Sequence, residues 1–152
     1  MSRPTPCPCT SGEPYARCCG PYHLGAAEAD TPTALMRSRF AAFARADVNY
    51  LYRTLHPDHP DRAAPEAQVR RALAESARSH RYMGLTILDA RGPDAEGVAQ
   101  VLFHARIFEK GRERSFTECS DFVQDGVGWR YLRGVLRPGA PVVTRIDAFL
   151  AG

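Results

Sequence analysis

The sequence predicts an α+β chain: an N-terminal cysteine knuckle, then helices, then an antiparallel sheet. Three observations carry that reading. Cys7, Cys9, Cys18 and Cys19 crowd into thirteen residues. Apolar residues then recur at helical spacing, at Leu35, Met36, Phe40 and Phe43. Residues 97–108 switch to alternation. There Ala99, Val101, Phe103, Ala105 and Ile107 share one face, and Gln100, Leu102, His104, Arg106 and Phe108 share the other. Helices followed by a meander of strands is the α+β pattern.

Residues 1–24 read as the cysteine module. Pro6, Pro8, Thr10, Ser11, Gly12 and Pro14 bend the backbone around a centre instead of feeding a helix or strand. Residues 25–32, GAAEADTP, are small and polar and read as a linker. Thr31-Pro32 opens a helix, threonine capping and proline in the first turn. Asp47 ends it and caps a short second helix carrying Leu51 and Leu55, which His56-Pro57-Asp58-His59-Pro60 breaks. A third helix begins near Pro65, with Val69, Leu73 and Ala77 on its buried face. Strands are expected at 83–90, 97–108, 114–124 and 128–136. Turns at Gly92-Pro93-Asp94, Lys110-Gly111-Arg112 and Asp125-Gly126 separate them. The α+β domain therefore spans 33–137, and 138–152 is a C-terminal tail or short helix.

A chain of 152 residues, 44% hydrophobic, holds one core and a small appendage. There is no apolar run between Met1 and Cys7, so no signal peptide is read, and no stretch approaches the roughly 20 apolar residues of a membrane span. A cytoplasmic location follows as the expectation. Residues 1–30 carry Arg3 and Arg17 against Glu13, Glu28 and Asp30, so the knuckle is not a phosphate-seeking basic finger and nucleic acid is not expected there. Positive charge in residues 31–152 is interleaved, with Glu66/Arg70 and Arg71/Glu75 at i,i+4 spacing on a solvated helix face.

The cysteines form C-x-C, eight residues, then C-C. A reducing compartment keeps such thiols free, and five cysteines make an incomplete disulfide framework. An adjacent pair such as Cys18-Cys19 rarely bridges itself. Four soft thiolates suit one tetrahedral Zn²⁺, with no open position and hence a structural role. Disulfides, an iron site, or His23 replacing one cysteine are the alternatives. Cys119 reads as a small apolar packing residue, and the His56/His59 pair as a loop feature.

The run CPCTSGEPYARCCG is similar to the SEC-C motif, matching it at Ser11, Gly12, Tyr15, Cys18 and Cys19. Together with GPYH at 20–23, TALMRSRFAAF at 33–43, DVNYLYRTLHP at 47–57 and ECSDFV at 118–123, the chain resembles the YchJ-like proteins. That resemblance implies helices packed on a curved antiparallel sheet of the nuclear-transport-factor-2-like, cystatin-like kind. It also implies a zinc knuckle on Cys7, Cys9, Cys18 and Cys19, but no particular biochemical activity follows from it. Such a sheet can enclose a pocket, for which His104, Arg106, Glu118, Ser120, Trp129 and Tyr131 are candidates. A converging His104/Glu118 pair would do general acid/base work; Glu118 paired with Arg106 or Arg114 would be structural. Because Ala99 and Ala105 permit close helix packing, the cavity is expected to be filled and no catalytic residue is assigned. The expected function is a zinc-stabilised adaptor acting on a protein partner, with Tyr15, Pro21 and Tyr22 exposed on the knuckle. The alternative is a small-molecule-binding protein or enzyme using the sheet cavity.

Overall fold

The structure is a computed structural model that describes residues 4–152; residues 1–3, the start of the expected 1–24 module, lie outside the described residues. A single 3₁₀ turn (Tyr15–Arg17) and α1 (Gly20–Leu24) shape the knuckle. The helical layer is α2 (Pro32–Arg45), α3 (Val48–Arg53) and, past a second 3₁₀ turn, α4 (Glu66–Ser79). The sheet comprises β1 (Arg81–Arg91), β2 (Ala99–Glu109), the two-residue β3 (Arg112–Glu113), β4 (Phe116–Gln124) and β5 (Trp129–Pro138). Its order is β1-β2-β4-β5, all antiparallel, with β3 pairing β2. The chain closes with α5 (Ile146–Ala151).

Local chemistry sets the element ends. The Thr31 hydroxyl accepts from Ala34 N at 3.0 Å with Pro32 in the first turn, a cap of about 1 kcal/mol. Asp47 caps α3 by accepting from Tyr50 N at 3.1 Å. Between β2 and β3 the chain reverses through Lys110 and Gly111, at φ 50° and 77°, the paired left-handed conformation of a two-residue hairpin turn. Register shifts at Tyr82/Gly84, Ile87/Asp89 and Asp121/Phe122 interrupt the ladders, as β-bulges that bend and twist strands do.

The expected apolar face of β2 meets the helices. Val101, Phe103, Ala105 and Ile107 pack with Leu85 and Phe122 against Leu35, Met36, Phe40, Tyr50 and Leu51. Each fully buried side chain of this size contributes roughly 1.5–3 kcal/mol. The opposite face departs from the alternation. Leu102 and Cys119, cross-strand partners, are also buried, because α5 lays Ile146 and Phe149 over them. Residues 138–152 therefore end in a helix that covers the sheet. Arg91–Asp147 at 2.7 Å and Ile146 N donating to Asp89 Oδ2 at 2.9 Å fix it there.

The 25–32 stretch, expected as a linker, is tied down. Ala29 is buried, and Glu28 pairs with Arg53 at 3.2 Å and with the buried Arg130 at 3.1 Å. Both edge strands are also engaged from outside the sheet. The Thr10 hydroxyl accepts from Leu85 N at 3.1 Å and lies 3.2 Å from Leu85 O on β1. On β5, Tyr131 N donates to Thr54 O at 2.8 Å and His56 N donates to Tyr131 O at 2.9 Å.

Candidate functional site

The knuckle folds by backbone bonds that only a turn-rich sequence can make. Cys7 N donates to Glu13 O at 2.9 Å and Thr10 N to Cys7 O at 3.1 Å, with Thr10 and Gly12 at positive φ. Gly20 is needed where it stands: a Cβ there would lie 2.8 Å from Tyr15 O. This winding brings the Sγ atoms of Cys7, Cys9, Cys18 and Cys19 within 4.8 Å of one another. Cys9 and Cys18 sulfurs are 3.6 Å apart, Cys18 and Cys19 3.9 Å. A tetrahedral site with metal–sulfur bonds of about 2.3 Å has edges of about 3.8 Å, so the four sulfurs fit a metal ion.

The electrostatics agree. The Cys9 thiol is pulled down to about 4, first by the Cys19 side chain that hydrogen-bonds to it. Cys7 is pushed up to about 11 by burial, and Cys19 is pushed up further, first by its bond to Cys9 and then by burial. Neighbouring thiols thus favour ionisation of Cys9, while burial opposes it at Cys7 and Cys19. Ser11 Oγ lies 3.2 Å from the Cys18 sulfur, a bond that would temper its charge in a metal-bound state.

His23 is no fifth donor to this cluster. Its Nε2 donates to Ser38 O at 2.8 Å, leaving Nδ1 to accept from Tyr15 Oη at 2.6 Å. Burial lowers its pKa. The residues expected to be exposed on the knuckle are not freely so. Tyr15 is half-buried with the Arg45 guanidinium 4.0 Å above its ring, Pro21 is half-buried, and Tyr22 packs against the main core.

Several bonds join the knuckle to α2. Arg37 Nη1 donates to Cys9 O at 3.3 Å, Ala41 packs among the cysteines, Ser38 O receives His23, and Arg45 covers Tyr15. The other side of α2 presents Met36, Arg39, Phe40 and Phe43 to a cavity of about 220 Å³ between helices and sheet. The cavity is not filled, despite the small Ala105 on its sheet side. Phe103, Ile107 and Phe116 supply apolar walls, and the half-buried Ser76 and His80 of the α4 end stand at its rim.

Its floor is polar. Glu118, 9% exposed, accepts at Oε2 from Ser120 Oγ at 2.5 Å and from Tyr131 Oη at 3.1 Å. Burial, reinforced by Glu118, pushes the Tyr131 phenol up, so it stays a donor. Gly134 of β5 makes room for this carboxylate: a Cβ there would come within 2.9 Å of Glu118 Cγ and nearer still to its carboxylate. Arg39, 5% exposed, donates from Nη1 to Leu51 O at 2.9 Å and Thr54 Oγ1 at 2.6 Å, and sits 5.0 Å over the Tyr131 ring. Arg39 and Glu118 form no ion pair with each other or with any other described residue.

Of the sequence candidates, Glu118, Ser120 and Tyr131 line this cavity, while His104, Arg106 and Trp129 do not. His104 lies on the far face of β2, its Nδ1 donating to Phe116 O at 3.0 Å. Arg106 is exposed beside Phe108, and Trp129 packs on the core at the start of β5. The His104/Glu118 convergence does not occur, since the two residues face opposite sides of the sheet. Glu118 pairs with neither Arg106 nor Arg114; Arg114 bonds Glu109 instead. Ring nitrogens of His56 and His59 accept from Asp58 N and Asp61 N, which makes them turn-formers. Arg39 was missed, although it falls in the apolar stripe between Met36 and Phe40, where a charged residue has to point into the core.

The family described as the YchJ middle NTF2-like domain matches residues 31–134, and the SEC-C motif matches residues 3–21. The chain belongs to the YchJ family. Its YchJ relatives include a UPF0225 protein of Deinococcus radiodurans, 40% identical over 141 residues, covering 87% of this chain and 97% of that one. The UPF0225 protein YchJ of Shigella dysenteriae is 35% identical over 128 residues, covering 84% and 81%. A SEC-C motif containing protein from Rhodopseudomonas palustris, solved in solution, superposes at a TM-score of 0.72 with 32% identity, covering 86% of this chain and 98% of that one. A crystallised sec-c motif containing protein from Psychrobacter arcticus, 24% identical with a TM-score of 0.72, shares the fold over 90% of this chain and 85% of its own. Among the described residues of this YchJ-family chain, no helix is long and apolar enough to cross a membrane.

Proposed function

We propose that this chain holds one structural zinc ion in its SEC-C knuckle and binds a small molecule in the cavity of its NTF2-like domain. The zinc braces the helix that walls the cavity. The observation that carries this reading is the double duty of α2. Its Arg37, Ala41 and Arg45 engage the knuckle, while Met36, Arg39, Phe40 and Phe43 line the cavity. An all-sulfur, tetrahedral donor set favours zinc among available ions, and four thiolates leave no coordination position for chemistry. Zinc supplies a fixed centre; the protein's own residues do the binding. A reducing cytoplasm suits a cluster whose cysteines are all free thiols. The small-molecule reading takes precedence over a protein adaptor because polar groups converge in the cavity, whereas Tyr15 and Tyr22 turn inward.

Elemental analysis of unsupplemented protein should find about one zinc per chain. Chelation should move the backbone resonances of Met36, Arg39, Phe40 and Phe43 as well as those of the knuckle. Disulfides in place of metal would end the zinc reading. Cavity resonances unmoved by chelation would separate the two sites.

A further inference from the structure

We propose that the cavity takes a neutral, single-ring aromatic molecule whose head group gives one acceptor to Arg39 and one donor to Glu118, as a primary amide does. This rests on the reading of the cavity as a ligand site. Two opposite charges sit at its floor without meeting. The remaining N–H groups of Arg39 have no protein acceptor among the described residues, and Glu118 Oε1 has no protein donor. These spare atoms are not sealed in protein, since among the described residues the buried side-chain polar atom without a partner is Arg62 Nε; they belong to residues that line the open cavity, where a direct ion pair would have been the simple arrangement. Here the β4 carboxylate is held back by Ser120 and Tyr131, over a β5 glycine that makes room for it, while Arg39 is anchored to Leu51 and Thr54. The arrangement keeps a gap with a donor on one side and an acceptor on the other.

Charge selects the head. An anionic head would gain Arg39 but confront Glu118; a cationic head would do the reverse. The two formal charges cancel, so a neutral group with an adjacent acceptor and donor satisfies both. Volume and lining select the body. An apolar cavity of about 150 Å³ accommodates benzene, so about 220 Å³ takes a ring with a small substituent. Phe40 and Phe43 both contact the Tyr82 ring, edge-on and stacked, at 5.7 Å, and Phe103 meets Phe116 at 6.1 Å. These rings give an aromatic guest edges and faces to pack on.

The test titrates isotope-labelled, zinc-loaded full-length protein with benzamide, benzoate and toluene at neutral pH, following backbone amides of Arg39, Phe103, Glu118, Ser120 and Tyr131. Benzamide should shift these resonances and bind about tenfold tighter than either competitor, each of which leaves a buried group unmatched. Glu118→Gln keeps the shape and removes the negative charge, so benzoate should then overtake benzamide. Ala105→Leu, which fills the cavity from β2, should abolish benzamide binding. Toluene or benzoate binding the wild-type protein as tightly as benzamide overturns the head-group assignment and leaves the cavity as a ligand site. Binding of none of the three overturns both. Benzamide binding that survives Ala105→Leu overturns the location. If Glu118→Gln fails to fold, the wild-type ranking decides.

Discussion

Gly134→Ala should act on β4 rather than on the strand that carries it. Gly134 lies in β5 opposite Ser120 with no positive φ, so its backbone accepts alanine, and losing a strand glycine would by itself gain about 0.5–1 kcal/mol. The new Cβ, however, would sit 2.5 Å from Glu118 Cδ and 2.9 Å from its Cγ, well inside van der Waals contact. The carboxylate must leave, and with it go its bonds to Ser120 and Tyr131. Hydrogen bonds to a charged group are worth about 1.5–3 kcal/mol each, so the net loss is about 3 kcal/mol after the alanine gain. For a domain near this size that lowers Tm by roughly 6–12 °C. The assay is urea and thermal unfolding of four proteins under identical conditions: parent, Gly134→Ala, Glu118→Ala and the double variant. With Glu118 already removed, Gly134→Ala should be neutral or stabilising, giving a coupling energy of about 3 kcal/mol. A Gly134→Ala protein within about 0.5 kcal/mol of the parent in both backgrounds would refute the close packing of carboxylate on glycine.

Other perturbations test separate parts of the fold. Burial depresses the pKa of both His23 and His59 below the usual histidine value. The unfolded state therefore binds more protons, and stability should fall as pH drops below about 6.5. A flattened stability–pH curve in His23→Gln and His59→Gln proteins checks this; an unchanged acid slope contradicts it. Phe149→Ala uncovers Leu102 and Cys119, and should cost about 3–5 kcal/mol by chemical denaturation. A loss below about 1 kcal/mol would mean that α5 does not cover the sheet in solution. Thr31→Ala should cost about 1 kcal/mol through the lost cap, and Thr31→Asn should restore most of it.

The fold was largely legible because its signals are local. Thr31-Pro32 and Asp47 cap the helices where expected, and β2 puts its alternating apolar set on the helices. The cysteine cluster was legible because ligand spacing is a short-range property. What depended on distant partners was not. Leu102 and Cys119 occupy the face that alternation assigns to solvent, and only the packing of α5 explains their burial. Glu28 looked like part of a polar linker because Arg53 and Arg130, its partners, lie far along the chain. His104 and Glu118 sit on neighbouring strands, but opposite parity sends them to opposite faces, which follows once the apolar face of β2 meets the helices. Arg39 could have been read from the sequence, as a charge in the Leu35, Met36, Phe40, Phe43 stripe.

The bonds at Leu85 and Tyr131 bear on solubility. An open sheet has two outer strands, and unpaired N–H and C=O groups along them invite another molecule's strand. Here each outer strand has a residue whose outward backbone groups are occupied from within the chain: Tyr131 by Thr54 and His56, Leu85 by the Thr10 side chain. The first guard follows α3 and is secured by the core. The second stands one residue after Cys9, so it keeps its post only while the cysteine loop keeps its shape. A chain whose cysteine loop is opened, for instance by alkylation of its thiols, would then bare the β1 edge, and should aggregate through strand-to-strand pairing while its helices remain folded.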